Sequence, residues 1–260
     1  LSKNDMKADE NNGTVNSTIE NGVARITFGH PKSNSLPGSL LRKIASIIDE
    51  VGSNPAARVI VLQSAGEGAF CAGASFSELQ SISDAHTGRE FFLGFSHVIL
   101  AIRRCPKFVI ARVQGKAVGG GVGVAAAADY TLALESSAAK LSELALGIGP
   151  FVVGPAVERR IGLSAFAEMS IDYDWRSAAW CKSKGLYHHT FPDIAQLDNA
   201  VDALVAKLSA SSPEAMAELK AVLWQGTEHW EQLLPERAEI SGRLVLSPFT
   251  KAFLIKAASN

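Results

Sequence analysis

Cysteine is scarce in this chain of 260 residues: Cys71, Cys105 and Cys181 stand far apart, and no CxxC pair occurs. Such spacing argues against a zinc ribbon or a disulfide framework and suits a reducing, cytoplasmic setting. Charge of one sign is not in excess either. There are 25 Lys and Arg against 26 Asp and Glu, a net charge of −1, so neither a nucleic acid nor a membrane surface is an expected partner. No continuous apolar run has the length of a bilayer span, and the first residues carry no apolar signal core. Also missing are a GxGxxG followed by an acid, a GK[ST] and a GxSxG, which leaves dinucleotide, P-loop and serine-hydrolase chemistry without support. The adjacent His188 and His189 would point to opposite faces of a strand and make a poor catalytic pair. Neither a metal nor a separate cofactor is expected.

What is present is glycine in two telling places. Gly119-Gly120-Gly121-Val122-Gly123 follows the apolar run Phe108 to Val113 and precedes the alanine-rich stretch Val124 to Ala128. A strand turning tightly into a helix leaves free N–H groups at the helix start, where the helix dipole favours a negative oxygen. A second glycine-bearing turn, Cys71-Ala72-Gly73-Ala74, follows the apolar run Val59 to Leu62. One N–H from each turn would suffice to hold an oxyanion, each donor contributing roughly 3–4 kcal/mol in a transition state. A tight turn with no ligand is the plainer alternative.

In chain order, residues 1–16 are polar and read as a disordered tail. Thr18 to Phe28 alternates around Asn21-Gly22, which predicts a hairpin. Leu40, Leu41, Ile44, Ile47, Ile48 and Val51 recur at helical spacing, with Gly52 as the stop. Phe91 to Ile102 predicts a second helix, ended by Pro106. Strands are expected at Val59–Leu62, Phe108–Val113, Tyr130–Leu134 and after Tyr187. Lys140 to Ile161 reads as loop and helix, and Ser177 to Lys184 as a short helix. From about residue 193 the pattern is helical only: Leu197 to Leu208, then Pro213 to Trp224 with Ser212 as N-cap. The expected class is α/β over 17–192 with an all-helical region over 193–260.

The motifs together resemble the crotonase family, the enoyl-CoA hydratases and isomerases, over about residues 17 to 257. His30 to Leu36 resembles its early CoA-binding loop, and Ala69 to Ala74 its first glycine turn. Lys107 to Ala111, Gly119 to Gly121 and Ala128-Asp129-Tyr130 resemble its central segment. Glu143 to Ile148 is similar to its acid loop, and Gly185-Leu186 with Phe191-Pro192 to the segment that follows. The resemblance implies a spiral of ββα units with a C-terminal helical trimerisation region, assembled as trimers or pairs of trimers. It implies an acyl-CoA thioester as substrate, so that CoA is no separate cofactor. It also implies that the N–H groups of Ala74 and Gly120 hold the thioester oxygen, that Glu143 is catalytic, and that Lys32, Ser35, Leu36, Ala72, Ser75, Phe76, Gly119, Gly121 and Phe151 border the substrate.

The departures from the family pattern choose among its reactions. Family hydratases carry a second glutamate where this chain has Gly123. One remaining acid suits double-bond migration from Δ3 to Δ2, with one base moving one proton, better than hydration. Hydration is the alternative, and a catalytically silent acyl-CoA-binding subunit is the alternative from another class. Ser75 replaces a frequent aspartate, and Phe151 stands where dienoyl-CoA isomerases have an acid. Asp129 reads as a structural cap rather than a base. Phe91, Phe92 and Phe95 suit an acyl pocket or the core equally, and Lys32, Lys251 and Lys256 are candidate contacts for CoA phosphates.

Overall fold

The computed structural model describes residues 13–258. Its centre is a six-stranded sheet in the order β1-β2-β3-β4-β6-β9. The strands are β1 (Thr14–Glu20), β2 (Val23–Gly29), β3 (Val59–Ser64), β4 (Val109–Val113), β6 (Tyr130–Leu134) and β9 (His189–Phe191). β1 and β2 form an antiparallel hairpin, turning at Asn21 and Gly22, both with positive φ. The remaining pairings are parallel. The tail expected over 1–16 is corrected in part: Thr14 to Asn16 already pair with Gly29 to Thr27, while residues 1–12 lie outside the described residues.

Parallel strands buried on both faces read as continuous apolar runs, and β3 shows why. Ile60 and Leu62 join the main core, whereas Val59 and Val61 join a second cluster on the opposite face. The main core receives α1 (Gly38–Ser53), α3 (Ala85–Arg104) and α4 (Gly120–Ala127). The opposite face is covered by α7 (Ile194–Ser209) and α8 (Pro213–Leu223) through Leu197, Val201, Val205 and Met216. A smaller sheet combines β5 (Ala117–Val118), β7 (Ala138–Lys140) and β8 (Arg176–Ser177). Between and after these run α2 (Phe76–Ser81), α5 (Gly154–Ile171), α6 (Ala178–Lys184), α9 (Trp230–Leu244) and α10 (Pro248–Ala258).

Three boundaries differ from the sequence expectation. Gly52 does not stop α1; it is a buried helical residue, and the helix ends at the extended Asn54. A Cβ on Gly52 would stand 3.2 Å from Cys105 Sγ, so a packing contact selects this glycine. α3 begins at Ala85, capped by Asp84, whose carboxylate accepts from Thr87 N–H at 2.8 Å. α5 continues past Ile161 to Ile171 across a break at Gly162, where φ is 77°. Ser212 caps α8 as expected, accepting from Ala215 N–H.

A buried polar knot ties the sheet to α8. Asp129 Oδ2 accepts from Val109 N–H at 2.7 Å and lies 2.8 Å from Lys220 Nζ. Its Oδ1 accepts from Trp224 Nε1 at 2.7 Å, and Lys220 donates to the Lys107 carbonyl at 2.7 Å. Both charged side chains are nearly inaccessible, so removing one leaves the other buried and unpaired, at a cost of about 3–5 kcal/mol. Asp129→Ala is therefore expected to lower the unfolding free energy by about that amount in urea titration. Adding Lys220→Met should recover part of the loss.

Candidate active site

The two glycine turns meet. Residues 71–74 run between the β2–α1 loop and β5, held by a parallel bridge on each side, Leu36 with Ala74 and Cys71 with Ala117. Leu36 N–H donates to the Gly73 carbonyl at 2.8 Å, and Val118 N–H to the Cys71 carbonyl at 2.9 Å. Gly73 has φ 88°. A Cβ there would lie 2.9 Å from the Val118 carbonyl oxygen and 3.8 Å from Gly120 N, which sets the two turns side by side. This parallel bridging turns the Ala74 N–H away from its neighbour strand. Gly120 is the first residue of α4, where an N–H has no helical acceptor. Neither amide donates to an acceptor within the described residues, and both residues line one cavity of about 450 Å³.

Glu143 lines the same cavity. Its carboxyl packs against the helix start: a Cβ on Gly119 would stand 2.8 Å from Glu143 Oε1. Gly119 also has φ 50°, so both space and backbone conformation call for glycine there. Although the residue as a whole is half-buried, Oε2 is shut from solvent and has no hydrogen-bond partner. Burial pushes its pKa from the ordinary 4.5 up to about 7, against a smaller lowering by the N–H groups of Glu143 and Ser142. The rest of the wall is mostly apolar, including Phe76, Leu79, Phe92, Phe95 and Phe151. Among the described residues lining the cavity, Glu143 is the one acid and Lys140 the one cation.

Of the residues expected from the sequence, Glu143, Ala74, Gly120, Ala72, Phe76, Gly119 and Phe151 come together on this cavity. Others do not line it. Leu36 is fully buried in the core. Gly121 packs on Cys71, whose Cβ a side chain there would meet at 2.6 Å. Ser35 is buried with its hydroxyl 3.0 Å from His30 Nδ1. Lys32 and Ser75 line a separate, smaller depression. Phe92 and Phe95 face the cavity, whereas Phe91 stays behind them in the core, edge-on to both. Lys251 is engaged with the Ile82 carbonyl. His188 lies elsewhere, half-buried against Tyr130 and Arg160; burial first, then Arg160, lowers its pKa to about 4. The sequence reading missed Lys140, Val153 and Tyr173 in the wall, since none belongs to a turn or an acid motif.

The family model described as enoyl-CoA hydratase/isomerase matches residues 18–253. The mitochondrial methylglutaconyl-CoA hydratase of Homo sapiens is 30% identical, over 75% of this chain and 58% of that protein. The peroxisomal Delta(3,5)-Delta(2,4)-dienoyl-CoA isomerase of Arabidopsis thaliana is 26% identical, over 82% of this chain and 81% of its own length. In fold, the crystal structure of an enoyl-CoA hydratase from Bacillus halodurans superposes with a TM-score of 0.86 at 23% identity, covering 93% of this chain and 99% of that one.

The buried carboxyl makes stability depend on pH with a definite sign. Folding raises the pKa, so the stability contributed by the neutral acid is complete below pH 4.5 and is lost as pH rises to about 7. Glu143→Gln has no such loss. Its stability advantage over the parent protein should open between pH 4.5 and 7, to about 3 kcal/mol, and then level off. Urea unfolding at a series of pH values measures this, and a gap independent of pH would contradict the buried neutral acid.

Proposed function

The chain belongs to the enoyl-CoA hydratase/isomerase family, and from the single acid in its cavity we propose that it moves the double bond of an unsaturated acyl-CoA thioester from Δ3 to Δ2. In this reading Glu143 removes a proton from the carbon next to the thioester carbonyl. Negative charge then spreads onto the carbonyl oxygen, where the N–H groups of Ala74 and Gly120 would receive it, each supplying roughly 3–4 kcal/mol. Glu143 returns the proton two carbons further along the dienolate. A base with a pKa of about 7 takes and returns a proton with little mismatch near neutral pH.

The observation that carries the choice of isomerisation is what surrounds Gly123. A Cβ there would stand 2.4 Å from both Cβ and Cγ1 of Val153, and Val153 itself lines the cavity. The volume that a second acid at position 123 would need is filled by valine. Hydration, which divides water activation and proton delivery between two groups, is correspondingly disfavoured. It remains the second reading because several relatives carry hydratase names and Ser142 borders the cavity beside Glu143.

Assembly as a homo-oligomer, a trimer or a pair of trimers, belongs to the same proposal. It is supported by exposed apolar side chains such as Leu219, Val222 and Leu223 on α8 and Phe249 and Ile255 on α10. A reducing, cytoplasmic setting suits three buried, unpaired cysteines.

Glu143→Gln should reduce conversion of 3-hexenoyl-CoA by about 10²–10⁴-fold while calorimetric binding of hexanoyl-CoA persists. The parent enzyme's rate should rise with pH through about 7 as Glu143 ionises. Hydration of crotonyl-CoA outpacing 3-hexenoyl-CoA conversion would overturn the isomerase reading, and retained turnover in the Gln variant would remove Glu143 from it.

A further inference from the structure

Beside the cavity two ammonium groups rest on aromatic rings. Lys140 Nζ lies 5.8 Å from the ring centroid of Trp175 and 6.0 Å from that of Tyr173, and Lys116 Nζ lies 5.0 Å from Trp175, within the range of cation–π attraction. The small sheet builds this cluster. β7 and β8 pair antiparallel, Ala138 with Ser177 and Ala139 with Arg176, so continuing the register sets Trp175 opposite Lys140. Tyr173 has φ 43°, a conformation that costs a bulky residue energy and is typically retained where surrounding structure or function demands it. Both rings remain substantially exposed, and Tyr173 and Lys140 line the cavity. Neither ammonium has a carboxylate within ion-pair distance among the described residues, and Asp172 nearby is bound by Arg176.

We propose that Lys140, steadied by Tyr173 and Trp175, is an anion subsite of the cavity that receives a carboxylate carried by the acyl group, away from the reacting carbons. The inference rests on reading the cavity as an acyl-thioester site. Lys140 is close to the chemistry: its carbonyl accepts from Gly119 N–H at 2.8 Å, one residue from Gly120, and it precedes Glu143 by three residues. Glu143 packs instead against the start of α4, with its Oε2 buried and without a hydrogen-bond partner among the described residues. The ammonium is therefore placed for a group some bonds removed from the proton transfer. The phosphates of CoA are the other source of anionic oxygen in such a substrate, but they stand a whole pantetheine arm from the sulfur.

Saturated thioesters test this without turnover. Titration calorimetry would compare glutaryl-pantetheine with valeryl-pantetheine, which lack phosphate, and the corresponding CoA esters. The parent protein should bind glutaryl-pantetheine about tenfold more tightly than valeryl-pantetheine, the order a charge-assisted hydrogen bond supplies. Lys140→Gln should erase that preference and leave valeryl-pantetheine unchanged, and Lys140→Arg should keep it. Equal weakening of both CoA esters with pantetheine esters unaffected would assign Lys140 to CoA phosphate and overturn the proposal. So would an unchanged preference in the Gln variant. Valeryl-pantetheine and both CoA esters binding with no carboxylate preference would sink this subsite alone, whereas no binding of any thioester would sink the acyl-thioester reading with it.

Discussion

The contact on which the site depends is the packing of the Glu143 carboxyl against the bare Cα of Gly119. It places an acid one residue from the unpaired N–H of Gly120 and shuts one carboxyl oxygen away from solvent. Burial of an acid is costly when it is charged, and that cost holds the pKa near 7. A side chain on residue 119 would collide with the carboxyl and also strain a left-handed backbone. The same glycine therefore serves the turn, the helix start and the acid.

Everything around that contact keeps it from relaxing. The Gly119 turn follows β5 of the small sheet, and Cys71 bridges to Ala117 in that strand, beside a buried core where side chains have little room to repack. The Asp129–Lys220–Trp224 knot clamps the neighbouring strand starts to α8. Bridges from Leu36 and Ala117 hold residues 71–74 from both sides. Leu36 and Gly121 do not line the cavity, yet they fix the two amides, Leu36 by pairing across Ala74 and Gly121 by packing on Cys71. A residue in a site motif can thus act through position rather than contact.

How much was legible beforehand follows a physical divide. The hairpin at Asn21-Gly22, the apolar strands and the Ser212 cap were readable because each rests on neighbours in sequence. The end of α1 was misread because Gly52 looks like a helix stop locally, whereas its reason is Cys105 across the core. The long α5 exceeds its expected end because the chain resumes helix after the Gly162 break, with buried Ile161, Ala165 and Met169 keeping one spacing across it. Lys140 and Tyr173 carried no signal, since they meet at the cavity where β7 pairs with β8, and Val153 carried none because it reaches Gly123 from a later segment.

The amino-acid order alone determined that two glycine turns exist, that one acid follows at the spacing of a known family, and that position 123 lacks a side chain. Those are properties of residue type and spacing. Only the tertiary structure decided that the two turns stand side by side, that the acid is desolvated, and that Val153 fills the volume beside Gly123. Convergence, burial and filled space arise between segments far apart in the chain, and local order does not encode them one residue at a time.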